Sequence, residues 1–239
     1  MGLFVLTFLK HQLHNCMGEV EVLRNRSQIY IHSNIICYGN AADEILTRQL
    51  QEEIETMWNE PVTEVYLERV PYTIRFIIGA EFKKDISELE ILQNTNPRNN
   101  YFRIEAFAKD NISFVDAIGC NTGYFKLENL YRGSTTAAHE FGHTLGLAHP
   151  HDLDIRGKGQ PGIMYPRGTL VDPQFQYDPT IPAGTTGGTL HPMYRKVLPA
   201  DIKNLKLHRL AFSNNRAVLG AFTNIFHWDH ASIDDMDFE

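Results

Sequence analysis

A chain of 239 residues, 43% hydrophobic and 21% charged, is long enough for one domain with a substantial core, and its composition is ordinary for a globular protein. A net charge of −7 argues against nucleic acid or an acidic membrane as the main partner, and no apolar run is long enough to cross a bilayer. Three cysteines, Cys16, Cys37 and Cys120, are too few for a disulfide framework; they could form at most one bridge, and buried or free thiols are the expectation.

The apolar opening Met1–Lys10 has no basic residue before it and no small-x-small cleavage site after it. It reads as a core strand or helix, with a degenerate signal peptide as the alternative. Leu6 stands where myristoylation of Gly2 would need Ser or Thr. Residues 1–27 are expected to be an N-terminal extension. Gln28 to Ile36 alternates and is rich in β-branched residues, so it reads as a strand. Asn40 is expected to cap an amphipathic helix from Ala41 to Trp58, with Ile45, Leu46, Leu50, Ile54 and Met57 on one face. Tyr72 to Ile78 is a strong strand. Glu81 to Asn100 is polar and reads as a loop with a helical piece around Ile86 to Leu92. Tyr101 to Ala108 is a third strand. Ile112 to Ile118 and Tyr124 to Leu127 are shorter strands around the turn Gly119–Gly123.

His139 to His149 then reads HEFGHTLGLAH, an uninterrupted HExxHxxGxxH. His139 and His143 are four residues apart, so on a helix their rings leave one face a turn apart and can grip one Zn²⁺. Glu140, about 100° around the helix, can reach a water at the metal without becoming a ligand. Gly146 comes where the helix should stop, because glycine tolerates the left-handed turn. That turn brings His149 back as third ligand, and Pro150 discourages further helix. Three protein ligands leave a fourth position for water, the mark of a catalytic rather than a structural site. Gly133-Ser134-Thr135 supplies an N-cap, and Ala138, Phe141 and Leu145 form the apolar face that buries against a sheet.

At these residues the chain resembles the metzincin clan of zinc peptidases. The clan's second hallmark is a methionine turn beneath the metal; Gly162-Ile163-Met164-Tyr165-Pro166 fits it, in a form similar to that of the matrixins. Pro166 stands where some clan members carry a tyrosine ligand, so none is carried over. The resemblance implies an α+β fold: a twisted, mostly parallel sheet of about five strands with an antiparallel edge strand, an active-site helix, a methionine turn and a C-terminal helix. It implies a catalytic domain at 28–212, with an upper subdomain 28–149 and a lower subdomain 150–212. Residues 213–239 then form a C-terminal strand and acidic tail. Peptide would lie along the strand near Phe114 to Gly119, and the primed-side pocket would be walled by Tyr165 to Leu170, with Tyr165, Pro166, Arg167, Phe114 and Ile118 as the candidate pocket residues. Matrixin zymogens carry a cysteine that blocks the zinc; no surrounding sequence matches that switch, and no cysteine is assigned to the metal.

The stretch His151 to Ile163 is longer than in compact matrixins. Its Asp152 and Asp154 suit a structural Ca²⁺, although a solvated surface loop is the simpler reading. Pro166 to Lys196 is irregular. Pro199-Ala200-Asp201 opens a helix to about Phe212, with Ile202, Leu205 and Leu210 inward, and Arg216 to Trp228 reads as a last strand. His227 and His230 read as surface residues.

The expected activity is zinc-dependent endopeptidase hydrolysis with Glu140 as general base and a protein or peptide as substrate, by a monomer. Two alternatives stand beside it. Arg167-Gly168-Thr169-Leu170-Val171-Asp172-Pro173 resembles metallopeptidase domains of bacterial polymorphic toxins, which implies delivery to a target cell and an immunity or inhibitor protein as partner. The other alternative is a catalytically silent zinc-binding module. Secretion or delivery without a clear signal peptide is the expected localisation, with the cytoplasm as fallback.

Overall fold

The computed structural model describes residues 18–230; Met1–Lys10, Cys16 and most of the acidic tail lie outside them. In chain order the elements are β1 (Gly18–Leu23), β2 (Gln28–Tyr38), α1 (Glu44–Asn59), β3 (Glu64–Leu67), β4 (Val70–Phe82), α2 (Glu88–Leu92), β5 (Asn99–Glu105), β6 (Phe114–Val115), β7 (Thr122–Lys126), α3 (Thr136–Thr144), α4 (Pro199–Asn204) and β8 (Arg216–Leu219). This is a mixed α+β fold.

β2 organises the sheet. Successive side chains leave a strand on opposite faces. Ile29, Ile31, Ile35 and Cys37 accordingly enter the main core, while Ile36 and Tyr38 join Ile91 and Tyr101 on the other side. One edge of β2 runs parallel to β4, from Gln28 opposite Thr73 to Cys37 opposite Phe82. Its other edge is shared. Antiparallel β1 pairs with the first half, Leu23 opposite Gln28 to Glu19 opposite His32, and parallel β5 with the second, from Asn34 opposite Asn99. β7 lies parallel beyond β5, and the two-residue β6 ends the sheet antiparallel to β7. At the far end β3 forms a hairpin with β4.

The sheet therefore has eight strands where about five were expected, and antiparallel strands at both ends of its parallel layer rather than one. The segment expected as an extension supplies β1, and the C-terminal segment supplies β8, which pairs with β1. β3 escaped notice because its hairpin turn, Glu68-Arg69, reaches positive φ (52° and 70°) without the Asn or Gly that normally marks such a turn.

Helix boundaries also shift. α1 begins at Glu44, not Ala41: Asp43 is extended, and its carboxylate accepts the main-chain N–H of Leu46 at 2.7 Å. Asn40 donates its own N–H to Glu105 instead. Thr47, Leu50, Ile54 and Trp58 are the buried stripe, and Ile45 is 81% exposed. α4 stops at Asn204, short of Phe212, because Lys206 turns left-handed (φ 51°) into a 3-10 turn at Leu207–Arg209. β8 ends at Leu219, and residues 220–230 run across the sheet as an irregular segment.

α1 and α3 share the main core. Trp58 donates its indole N–H to the Ala138 carbonyl at 3.1 Å, and its ring meets Phe76 and Phe141. A smaller cluster of Ile155, Val171 and Leu190 lies under the irregular segment after α3, with Tyr165, Phe175 and Tyr194 against it.

Candidate metal centre

α3 is buried along its whole length. At its start Thr135 turns left-handed (φ 58°), and the Ser134 hydroxyl accepts the N–H of Thr136 at 3.2 Å. Its C-terminus is a Schellman closure. Gly146, at φ 93°, donates to the His143 carbonyl and Leu147 to the Gly142 carbonyl, each at 3.0 Å. A side chain at this φ would be strained, so Gly146 is what lets the chain reverse and return His149 to the face carrying His139 and His143.

The three imidazoles converge. Nε2 of His149 lies 3.0 Å from Nε2 of His139 and 3.1 Å from Nε2 of His143. The opposite nitrogens fix the tautomers. Nδ1 of His139 is 2.7 Å from the Ile163 carbonyl, and Nδ1 of His143 is 2.7 Å from the Leu147 carbonyl. A carbonyl only accepts, so both Nδ1 atoms carry the proton and both Nε2 atoms present lone pairs. Lone pairs aimed at one point repel unless a cation lies between them. Burial also disfavours protonation, holding His139 well below the ordinary imidazole value, His143 at about 4, and His149 lowered. The rings are therefore neutral at pH 7, the form that ligates. The donor set fits a metal ion, and among the described residues these three form the single group of metal-competent side chains within reach of one another.

Asp152 and Asp154 do not form a second such group. Asp154 pairs with Arg156 at 2.6 Å, and Asp152 pairs with Lys158. Carboxylates already neutralised by their own loop leave the expected calcium site without a ligand cluster among the described residues.

Met164 is buried beneath α3. A methyl group on Gly142 would lie 2.3 Å from its sulfur and 3.1 Å from Trp58, so glycine at the fourth position of the motif makes room for the thioether. The preceding residue, Ile163, supplies the carbonyl that orients His139. The turn thus acts on the centre through packing and one hydrogen bond.

Glu140 is buried beside the histidines. Burial raises its carboxyl to about 8, against the pull of the Arg195 guanidinium and the main-chain N–H of Val115 in β6. A divalent cation at the histidines would draw it back down. Glu140, His139 and His149 border a cavity of about 260 Å³. Pro166 and Arg167 line it as well. Tyr165 packs instead on the Ile155 cluster, Phe114 stacks on Tyr124 and meets His227, and Ile118 is exposed at 50%.

Arg195, also on the cavity wall, had no sequence signal: it is an isolated arginine in an irregular stretch. Thr136, Asn129, Ser113 and Asn111 complete the polar lining. His227, expected at the surface, is largely buried and contacts Asp116 at 3.0 Å; His230 stacks on Tyr124 at 4.0 Å. Cys37 and Cys120 are free and buried. Neither a protein-family model nor a curated protein sequence matches this chain.

Proposed function

We propose that this chain is a zinc-dependent endopeptidase of metzincin type. The observation that carries the reading is the convergence of three neutral imidazoles on one point, with a buried carboxylate beside them. Three histidines with an open position are the donor set of a catalytic zinc site. When bound, the ion supplies Lewis acidity, acidifying the attacking water and taking up negative charge on the scissile carbonyl oxygen.

The chain's own residues do the rest. Glu140 accepts a proton from the attacking water at its carboxylate and delivers it to the departing amine nitrogen. One water is consumed: its oxygen joins the acyl carbon, the C–N bond breaks, and the amine gains the proton. Burial of Glu140 keeps bulk water from competing for that proton. The Ile163 and Leu147 carbonyls hold the His139 and His143 rings in the ligating tautomer. β6 ends the sheet next to Glu140, so an extended peptide could add there as a further strand.

The test is the Glu140→Gln protein reconstituted with zinc. It should retain one zinc per chain and lose hydrolysis of an unfolded protein by about 10²-fold or more. Undiminished hydrolysis would remove Glu140 as the base. Loss of zinc together with activity would make it a structural residue.

A further inference from the structure

Two arginines border the cavity beside Glu140, and neither makes a direct ion pair among the described residues; Glu140 and Glu53 act on Arg195 only through space. Arg195 is 4% exposed, yet its N–H groups go to neutral acceptors: Nε to the Thr135 hydroxyl at 2.9 Å, and the two Nη atoms to the Tyr165 and Ser134 carbonyls at 3.3 and 3.4 Å. Those three bonds use three of five N–H groups. A buried guanidinium normally meets a carboxylate. Arg167, at the mouth, is steered by Asn129, whose amide oxygen accepts from Nη2 at 3.1 Å and whose amide nitrogen donates to Ser113. Glu128, the neighbouring carboxylate, is occupied by Lys126. A third group points to the same conclusion. Thr136 borders the cavity, is 6% exposed, and its buried hydroxyl oxygen has no hydrogen-bond partner.

Two cations and an unused hydroxyl around one small cavity match the chemistry of a carboxylate, which accepts from guanidinium and hydroxyl alike. We propose that this cavity is a carboxylate subsite for the residue immediately after the scissile bond, with Arg195 and Arg167 as its specificity-determining residues. The inference rests on the peptidase reading above. For an endopeptidase the carboxylate is an aspartate or glutamate side chain; were it the substrate's own C-terminus, the enzyme would instead be a carboxypeptidase.

The experiment uses the full chain loaded with zinc and a set of peptides with Glu, Gln, Leu or Lys at that position. Each is made with a free and with an amidated C-terminus. A side-chain subsite favours Glu over Gln by about tenfold or more in kcat/KM in both forms. A terminal subsite shows no side-chain preference and works only on free-ended peptides. Either result supports the carboxylate site and identifies its source. Arg167→Glu, a change at an exposed position, should abolish the Glu preference and improve the Lys peptide; for a terminal subsite it should abolish the free-end requirement. Arg195→Met should do the same if it folds. Equal or better cleavage of amidated Leu peptides, or a preference unmoved by Arg167→Glu, overturns the subsite while leaving the peptidase intact. No hydrolysis of any peptide by zinc-replete protein overturns the peptidase reading and the subsite with it.

Discussion

His139, His143 and Glu140 are ionisable groups whose burial pushes in opposite directions. The folded histidines refuse protons that the unfolded chain accepts below about 6.5, so in the metal-free protein they lose stability as the pH falls. Glu140 holds its proton up to about 8, while its unfolded counterpart releases one near 4.5. The native state therefore binds more protons across that interval, and stability falls as the pH rises through it. Above about 7.5 the histidines are neutral in both states, and Glu140 still titrates. Metal-free protein should lose on the order of 1 kcal/mol between pH 7.5 and 9, and Glu140→Gln should reduce that slope. Urea unfolding at the two pH values measures both. At this scale the three converging histidines were legible because all lie within eleven residues whose spacing encodes a helix and a turn. Arg195 was not, because it reaches the cavity from a stretch without periodicity, held by Thr135, Ser134 and Tyr165.

Among the elements, α3 is governed by what it must touch. Glycine inside a helix costs about 1 kcal/mol relative to alanine, yet Gly142 lies between Met164 and Trp58, where a Cβ would have to displace the Met164 thioether. Gly142→Ala should reverse the usual gain. Overpacking of this kind costs about 1–3 kcal/mol, and displacement of Met164 would loosen the Ile163 carbonyl from His139. A lower Tm together with weaker zinc retention is the expected pair; a rise in Tm would contradict the packing. The periodicity that locates α1 also mislocates its start. Asn40 and Asp43 are both good caps, and the choice depends on Glu105, a tertiary partner that binds the Asn40 N–H. β6 was read too long for a related reason: only Phe114 and Val115 pair with β7, and nothing local marks where pairing stops.

In the whole molecule, the first and last described strands complete the sheet. β1 pairs with the open half-edge of β2 and β8 adds to β1, while residues 220–230 run past β2, β5 and β7. Asn121, fully buried, ties this segment down: its side-chain oxygen accepts from the N–H groups of Thr223 and Asn224 at 3.0 Å each, and its nitrogen donates to Asn224 at 2.7 Å. Tyr38 and Tyr124 add hydroxyl contacts to the His227 and His230 N–H groups. Asn121→Ala should cost about 1–3 kcal/mol by leaving buried donors unpaired, and limited proteolysis should then cut between 220 and 230. Unchanged protease resistance would mean the segment is held elsewhere. None of these long-range ties has a periodic signature, whereas the alternation of β2 was plain.

The most direct measurement is hydrolysis of an unfolded protein as zinc is added back to metal-free chain. Activity should rise to a plateau at one zinc per chain, vanish with a chelator and be absent in His149→Ala at the same zinc level. Hydrolysis indifferent to zinc, or none at saturating zinc, would contradict a catalytic zinc at His139, His143 and His149.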